Sequence, residues 1–166
     1  MTTDSTRRHL FISHHHADDE EVTNLTRLLN SRGYDVRNSS IRANPANQRR
    51  LELGLVKDVV IERLLRLKIS WATTVVVLIG KETHARPWVN WEVEEAHRQG
   101  KRIVGVFIRG GTQADVPPSL RKYASSQLAG WNSERIMAVV DGEENDFQEP
   151  DGTPSPPFYD ATRSLC

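Results

Sequence analysis

One carboxylate stands out among the side chains of residues 86–100. Trp88 and Glu92 are four residues apart, a spacing that places both side chains on one face of a helix. That face adjoins an apolar stripe formed by Val89 and Val93. A carboxylate next to such a stripe is costly to bury unless it has a partner or a chemical task. Two interpretations follow from the spacing alone: a functional acid in the wall of a cleft, or a salt-bridged residue on the surface.

The element that carries Glu92 is predicted to be a helix from Pro87 to the residue before Gly100. Proline suits the first helical position, and glycine suits the position just past the last turn. The preceding run 73–80, rich in valine and closed by glycine, is typical of a strand buried on both faces. Ligands of open α/β sheets bind outside the carboxyl ends of the strands. We therefore expect residues 81–86 and the first turns of the helix to border a ligand crevice.

Length and composition indicate one globular domain. The 166 residues contain 22 lysines and arginines and 22 aspartates and glutamates, so no overall basic field attracts nucleic acid or an anionic membrane. The single cysteine, Cys166, excludes an intramolecular disulfide and fits a reducing compartment. No apolar run approaches the roughly 20 residues of a membrane span, and the N-terminus is polar and unlike a signal peptide. We expect a cytoplasmic protein that binds neither nucleic acid nor membrane.

Strands and helices are predicted to alternate along the chain. Strands are expected at 9–13, 34–37, 73–80, 102–108 and 127–131, and helices at 18–32, 48–71, 87–99, 118–123 and 133–140. In the long helix, one apolar face is formed by Val56, Val60, Leu64 and Leu67. The alternation predicts an α/β fold with a parallel sheet of about five strands. The expected organisation is an extension at 1–8, a domain at 9–140 and an irregular or mobile tail at 141–166.

The sequence lacks the motifs of several activities that occur on such folds. A flavin site needs a Ser, Thr and Gly-rich loop after strand one, where this chain has residues 13–19, Ser-His-His-His-Ala-Asp-Asp. A phosphoacceptor aspartate is missing at the end of strand three, which reads Ile79-Gly80. Neither a phosphate loop ending in Lys-Ser/Thr nor a dinucleotide fingerprint is present. The sequence therefore excludes a flavin site, a phosphoacceptor site, a phosphate loop and a dinucleotide-binding site of these types.

The three histidines after the first strand could bind a metal ion, but their spacing argues against a metal site. His14, His15 and His16 are consecutive, so in an extended loop they point to alternate sides, and no Cys or further His stands at a usual zinc spacing. Ser13, His15 and Asp18 also suggest a hydrolytic triad, but Ser13 lacks the flanking glycines of a nucleophile elbow. We favour polar lining of the crevice and predict no metal.

Taken together, these segments resemble a bacterial TIR-like domain of the type found in the Thoeris anti-phage system. The resemblance covers about residues 9–131 and rests on Phe11-Ile-Ser13, Val75-Val-Val-Leu-Ile-Gly80, Thr83, Arg86 and Trp88-Val-Asn-Trp-Glu92-Val. It implies a three-layer, flavodoxin-like TIR fold with helices on both faces of the sheet. The predicted tail from residue 141 lies outside it.

What the resemblance implies for function is an enzyme that cleaves the nicotinamide–ribose bond of NAD. The product would be an ADP-ribose-derived signalling nucleotide, cyclic in the leading interpretation, that activates a separate effector. NAD would be the substrate and no cofactor would be needed. A phage-derived trigger and self-association are further expectations. Two alternatives stay open: a non-catalytic TIR adaptor module, and a regulator that binds an ADP-ribose-type nucleotide without turning it over.

Residue roles follow from the same resemblance. Glu92 matches the catalytic glutamate, facing the positive charge that develops on the sugar or holding its hydroxyls. Trp88 supports the sugar or the nicotinamide, or else only packs. Relatives often have an aromatic residue where this chain has His14. The expected substrate-binding residues are Ser13, His14, His15, Asn38, Ser39, Thr83 and Trp88.

Overall fold

A computed structural model describes residues 9–14, 19–38, 58–108, 110–123, 127–130, 132–141 and 147–155. Their elements are β1 (His9–Ser13), α1 (Asp19–Ser31), β2 (Asp35–Asn38), α2 (Asp58–Trp71), β3 (Thr74–Ile79), α3 (Pro87–Arg98), β4 (Arg102–Phe107), α4 (Pro118–Tyr123), β5 (Gln127–Ala129), α5 (Ser133–Asp141), β6 (Phe147–Gln148) and β7 (Pro154–Ser155). Single turns of 3-10 helix occur at Thr83–Ala85 and Gln113–Asp115. None of these described helices is long and apolar enough to cross a membrane.

The sheet has the order β2-β1-β3-β4-β5-β6-β7. The pairs from β2 to β6 are parallel, and only β7 runs antiparallel to its neighbour. The first five strands, in the order 2-1-3-4-5, form a flavodoxin-like sheet, which confirms the fold that the resemblance implied. In this order, β2 is added on one side of β1 and β3 to β5 on the other, and ligands of such sheets bind at this switch point between β1 and β3.

Helices cover both faces of the sheet, which confirms the three-layer prediction. One face packs against α2, α3 and α4 through an apolar cluster that includes Phe11, Leu65, Val75, Val93 and Leu120. The other face packs against α1 and α5 through a cluster that includes Ile12, Leu25, Val76, Ile136 and Val140. The β3 side chains alternate between these clusters, as the strand period of two requires. All six β3 residues are buried, which explains the continuous valine run.

The apolar face assigned to the long helix was wrong. The described part, α2, buries Ile61, Leu65 and Ile69, whereas Leu64 and Leu67 are 41 % and 63 % exposed. Both sets of residues have helical spacing, so periodicity alone could not choose between them. Packing against β1 and α3 decided which set is buried. Val56 and residues 48–57 of the predicted helix lie outside the described residues.

The tail also departs from the prediction, since part of it is ordered in the sheet. Helix α5 runs to Asp141, and β6 and β7 form a short antiparallel pair. Phe147 pairs with Leu128 and is buried in the core cluster of the α3 face. One buried aromatic ring among prolines, glycines and acids was too weak a signal to predict two strands. Residues 142–146 and 156–166 lie outside the described residues.

Candidate functional site at the end of β1

The candidate site lies in a step at the carboxyl edge of the sheet. Ser13 ends β1 and pairs with Val77, whereas β3 continues to Ile79, which pairs with Phe107. The central strands therefore extend beyond β1, and we call the step that this leaves next to Ser13 the notch. The notch coincides with the point between β1 and β3 where ligands bind in sheets of this order.

Helix α3 brings the carboxylate of Glu92 into this notch. Pro87 occupies the first helical position, where its missing N–H is not needed, and Gly100 ends the helix region with a φ of 73°, which favours glycine. Val89 and Val93 anchor the helix in the core. Glu92 is itself only 1 % exposed, so the interpretation as a solvated surface residue is excluded.

Ser13 binds Glu92 directly. Its Oγ donates a hydrogen bond to Glu92 Oε1 over 2.6 Å, and the contact is buried. Ser13 is fully buried and lies on the α3 face of β1, because its neighbour Ile12 packs on the opposite face. A hydroxyl donor favours the charged form of a carboxylate. The end of β1 and the second turn of α3 thus form one polar centre inside an apolar face.

Lys68 on α2 lies beside the end of β2, the strand that pairs with β1 as far as Ile12. Its side chain is half-buried, and Nζ donates a hydrogen bond to the carbonyl oxygen of Asn38 over 3.2 Å. Burial lowers the pKa of Lys68, the charge of Arg37 lowers it further, and the charge of Glu92 raises it. Sequence reasoning missed Lys68, because one lysine among several cations on a helix carries no signal of its direction.

Asn90 fixes the start of α3 to two neighbouring segments. Its Nδ2 donates to the carbonyl oxygens of His84 and Arg86, each over 3.3 Å. Its Oδ1 accepts hydrogen bonds from the backbone N–H and the hydroxyl of Ser119, over 3.1 and 2.7 Å. Asn90 therefore links the loop after β3, the helix that carries Glu92 and the first turn of α4.

Asp115 joins the loops that follow β3 and β4. Its carboxylate accepts hydrogen bonds from the N–H of Glu82 over 2.9 Å and from the N–H and hydroxyl of Thr112 over 2.9 and 3.0 Å. His84 Nδ1 lies 3.7 Å away. Burial acts to raise the pKa of Asp115, but these hydrogen bonds and the charge of His84 outweigh it and leave the pKa below its usual value. Glu82, held by this contact, has a left-handed φ of 64°.

Three further residues, Trp88, Thr83 and His14, were predicted to bind substrate. Trp88 is half-buried, packs against the core and lies 5.5 Å from the Trp91 ring at 60°. The hydroxyl of Thr83 is buried and exchanges hydrogen bonds with the backbone of Gly80 over 2.8 and 2.9 Å. His14 is 4 % exposed. Their predicted contacts with substrate stay predictions.

Asn38 and the remaining predicted residues lie around the end of β2. Asn38 lines a groove of about 390 Å³ beside α1, together with Thr23, Thr26 and Arg27. The Asn38 carbonyl is the acceptor for Lys68. His15 and Ser39 lie outside the described residues. Among the side chains that the structure describes, no three His, Cys, Asp or Glu come together as a metal site.

Glu95, one turn after Glu92, is a second buried acid of α3. Arg98 binds its carboxylate, Gln99 donates over 2.7 Å, and Arg66 Nε lies 3.5 Å away. Burial acts to raise the pKa of Glu95, but these hydrogen bonds and charges outweigh it and lower the pKa. Two arginines from α2 and α3 thus neutralise Glu95.

Fold and site together define a flavodoxin-like α/β domain with a buried acid at its ligand crevice. The family model described as "Thoeris protein ThsB, TIR-like domain" matches residues 11–113, more than half of the chain. The chain therefore belongs to the family of Thoeris ThsB proteins with a TIR-like domain. The matched segment contains Ser13, Lys68 and Glu92, which confirms the resemblance on which the predicted roles rest.

Two solved structures are similar to this chain at low sequence identity. The Clostridium botulinum CMP N-glycosidase BcmB is 12 % identical with a TM-score of 0.52, over 82 % of this chain and 100 % of that chain. The TIR domains of the activated Roq1 resistosome, which directly recognizes the pathogen effector XopQ, are 19 % identical with a TM-score of 0.44, over 82 % of this chain and 70 % of that chain. A comparison with curated proteins found no match.

Proposed function

We propose that this protein is a TIR-like NAD-processing enzyme of anti-phage defence. It cleaves the nicotinamide–ribose bond of NAD and releases an ADP-ribose-derived nucleotide, in cyclic form, that activates a separate effector. Membership of the Thoeris ThsB family supports the defence role. The fold also occurs in a protein named as a CMP N-glycosidase, and cleavage of an N-glycosidic bond is the class of reaction proposed here.

The observation that carries the proposal is the buried carboxylate of Glu92 at the end of β1. It is 1 % exposed and accepts a 2.6 Å hydrogen bond from Ser13. Burying an acid away from water is unfavourable unless it is compensated. Glu92 lies at the carboxyl edge of the sheet, where ligands bind in sheets of this order, and a carboxylate held there can act on a bound ligand.

The chemistry requires little more than one fixed carboxylate. When the bond between ribose C1′ and the nicotinamide nitrogen breaks, the electron pair leaves with the cationic nicotinamide and neutralises it, so no acid is needed. The sugar becomes an oxocarbenium-like cation, which a pre-positioned carboxylate stabilises. A nucleophile then bonds to C1′ and loses its proton. Water gives ADP-ribose, and a group of the same nucleotide gives a cyclic product.

Activity requires a change in the structure around Glu92. A side chain that is 1 % exposed contacts no ribose until neighbouring groups move. The loops after β3 and β4, joined through Asp115, and the first turn of α3, tied through Asn90, border the notch. A phage-derived trigger, or self-association that follows it, would act by opening this region.

Nucleotide profiling in cells tests the proposal. Cells that express the wild-type chain, Glu92→Gln or Glu94→Gln are challenged with phage, and their nucleotides are measured by mass spectrometry before and after infection. Glu94 is exposed on the same helix, so Glu94→Gln controls for the loss of one charge. We expect loss of NAD and a new ADP-ribose-related species on infection with wild type and Glu94→Gln, and neither with Glu92→Gln.

The competing classes give different outcomes in the same experiment. A nucleotide-binding regulator would retain ADP-ribose on the purified protein while the NAD pool stays constant in all three strains. An adaptor module would leave nucleotide pools unchanged, yet Glu92→Gln would still protect against phage. Either result overturns the enzymatic assignment.

A further inference from the structure

The groove beside α1 has a polar lining that the proposed chemistry at Glu92 does not use. Its volume of about 390 Å³ is within the range of small-molecule sites, about 300–1,000 Å³. Among the residues that the structure describes, those that line the groove are Val22, Thr23, Thr26, Arg27, Asn30 and Asn38. This set offers hydroxyls, amides and one cation, and it includes no acid. Such a lining favours a ligand that has hydroxyl groups and a negative charge.

Two polar groups of α1 in this groove lack partners within the described part of the chain. Thr26 Oγ1 is buried and has no hydrogen-bond partner there. Arg27, the next residue, is exposed and forms no ion pair there. A buried hydroxyl without a partner is unfavourable. Because threonine adopts two χ1 rotamers in helices, a polar group of a ligand can pair with this hydroxyl.

The groove lies next to the notch. Asn38, at the upper end of the groove, pairs with Ile12 in the parallel ladder of β1 and β2. The next residue of β1 is Ser13, which binds Glu92. Ile12 packs on the α1 face of the sheet, so Ser13 faces α3. Groove and notch are therefore neighbours at the carboxyl edge of the sheet, on opposite faces of it.

Positive charges flank the end of β2. Arg27 lines the groove on the α1 side. On the α2 side, Lys68 donates a hydrogen bond to the carbonyl oxygen of Asn38 over 3.2 Å, and Arg37 lies 4.3 Å from the centroid of the Trp71 ring. Lysine and arginine are the side chains that bind phosphate groups most strongly. This end of the sheet thus suits the phosphates of a nucleotide.

We propose that the groove beside α1 is the subsite for the AMP half of NAD. Arg27 binds a phosphate oxygen, and Thr26 and Asn30 bind hydroxyl groups of the adenosine ribose. The choice of NAD rests on the proposed function. Binding energy from a part of the substrate that is remote from the scissile bond can position the reacting part. AMP seated in the groove would hold the nicotinamide ribose at the notch, where Glu92 acts.

Binding of AMP to the untriggered full-length chain tests the subsite without any catalysis. AMP, adenosine and inorganic phosphate are each titrated into the protein, and backbone amide shifts are followed by NMR. We expect AMP to shift the amides of residues 22–30, with adenosine and phosphate each binding about 10-fold or more less tightly. Arg27→Gln should weaken AMP binding about 10-fold or more, and Thr26→Val roughly 3- to 10-fold.

Arg32→Gln is the matched control, because Arg32 is exposed just after α1 and does not line the groove. It should bind AMP like wild type. The proposal is overturned if AMP leaves the amides of residues 22–30 unchanged, or if Arg32→Gln weakens binding as much as Arg27→Gln.

A shorter substrate separates this inference from the proposed function. Nicotinamide mononucleotide has the same scissile bond as NAD but no AMP half. In triggered protein, Arg27→Gln should lower kcat/KM for NAD about 10-fold or more and leave that for the mononucleotide unchanged. If AMP binds in the groove but wild type never cleaves NAD, the enzymatic assignment fails and the groove stands as an AMP site. If Arg27→Gln cleaves NAD as fast as Arg32→Gln, the subsite fails alone.

Discussion

The hydroxyl of Ser13 lies 2.6 Å from a carboxylate oxygen of Glu92, although the two residues are 79 positions apart in the sequence. One residue ends the first strand and the other lies on the second turn of α3. The contact ties a catalytic candidate on a helix to the rigid centre of the sheet. Helices and strands hold functional groups more accurately than loops, so this pairing suits an acid that must face a short-lived cation.

Replacing Ser13 with alanine should impair NAD cleavage more than it impairs folding. A hydrogen bond to a charged group contributes about 1.5–3 kcal/mol, which corresponds to roughly a 10- to 100-fold loss of rate if it acts in the transition state. The rate of NAD loss in triggered protein measures the effect. Ser70→Ala, on the exposed side of α2, is the control. Equal activity of the two variants would show that Ser13 does not orient Glu92.

Replacing Asn90 with alanine should loosen the helix that carries Glu92. The change removes side-chain hydrogen bonds to the loop after β3 and to Ser119, and we expect the free energy of unfolding to fall by about 1–3 kcal/mol. Urea unfolding measures this. Ser119→Ala keeps the backbone donor and should cost less, and Asn24→Ala on the exposed face of α1 should cost almost nothing. A loss no larger than that of Asn24→Ala would contradict the assigned link.

Asp115→Asn should produce a stability loss that depends on pH. The pKa of Asp115 is held below its usual value in the folded protein, so its ionised form stabilises the fold above the unfolded pKa of about 4. That contribution disappears as the pH falls through the lower, folded pKa. We expect Asp115→Asn to be less stable than wild type at pH 7 by about 1–3 kcal/mol, and the gap to narrow below about pH 4. A constant gap from pH 7 to pH 3 would be inconsistent with this assignment.

Truncating a leucine in the buried stripe of α2 should lower the stability of the protein far more than truncating one in the exposed stripe. Leu65 is fully buried and Leu67 is 63 % exposed. Leu65→Ala should therefore destabilise the protein by about 2–5 kcal/mol, whereas Leu67→Ala should change stability by no more than about 0.5 kcal/mol. Thermal and urea unfolding of the pair are the measurements. Similar losses for both variants would mean that the exposed stripe is covered in solution.

Strand and helix positions were predictable because each carries its own local pattern. The valine run of β3 is buried on both faces, as its lack of alternation indicated. Pro87 and Gly100 bounded α3 correctly, since their backbone preferences act wherever they occur. The alternating order of strands and helices then predicted a parallel sheet, because consecutive β-α-β units can be arranged in few ways. The spacing of Trp88 and Glu92 placed both residues on the helix face that adjoins the core.

The sequence by itself thus determined the elements, their order and the one acid worth examining. Only the tertiary structure decided that Glu92 is buried against Ser13, that Arg66 pairs with Glu95, and that α2 buries Leu65 and exposes Leu67. These facts depend on contacts between segments far apart in the chain. Local propensity and periodicity depend only on residues that are close in sequence, so they do not distinguish one long-range contact from another. Those contacts are decided only when the helices pack on the sheet.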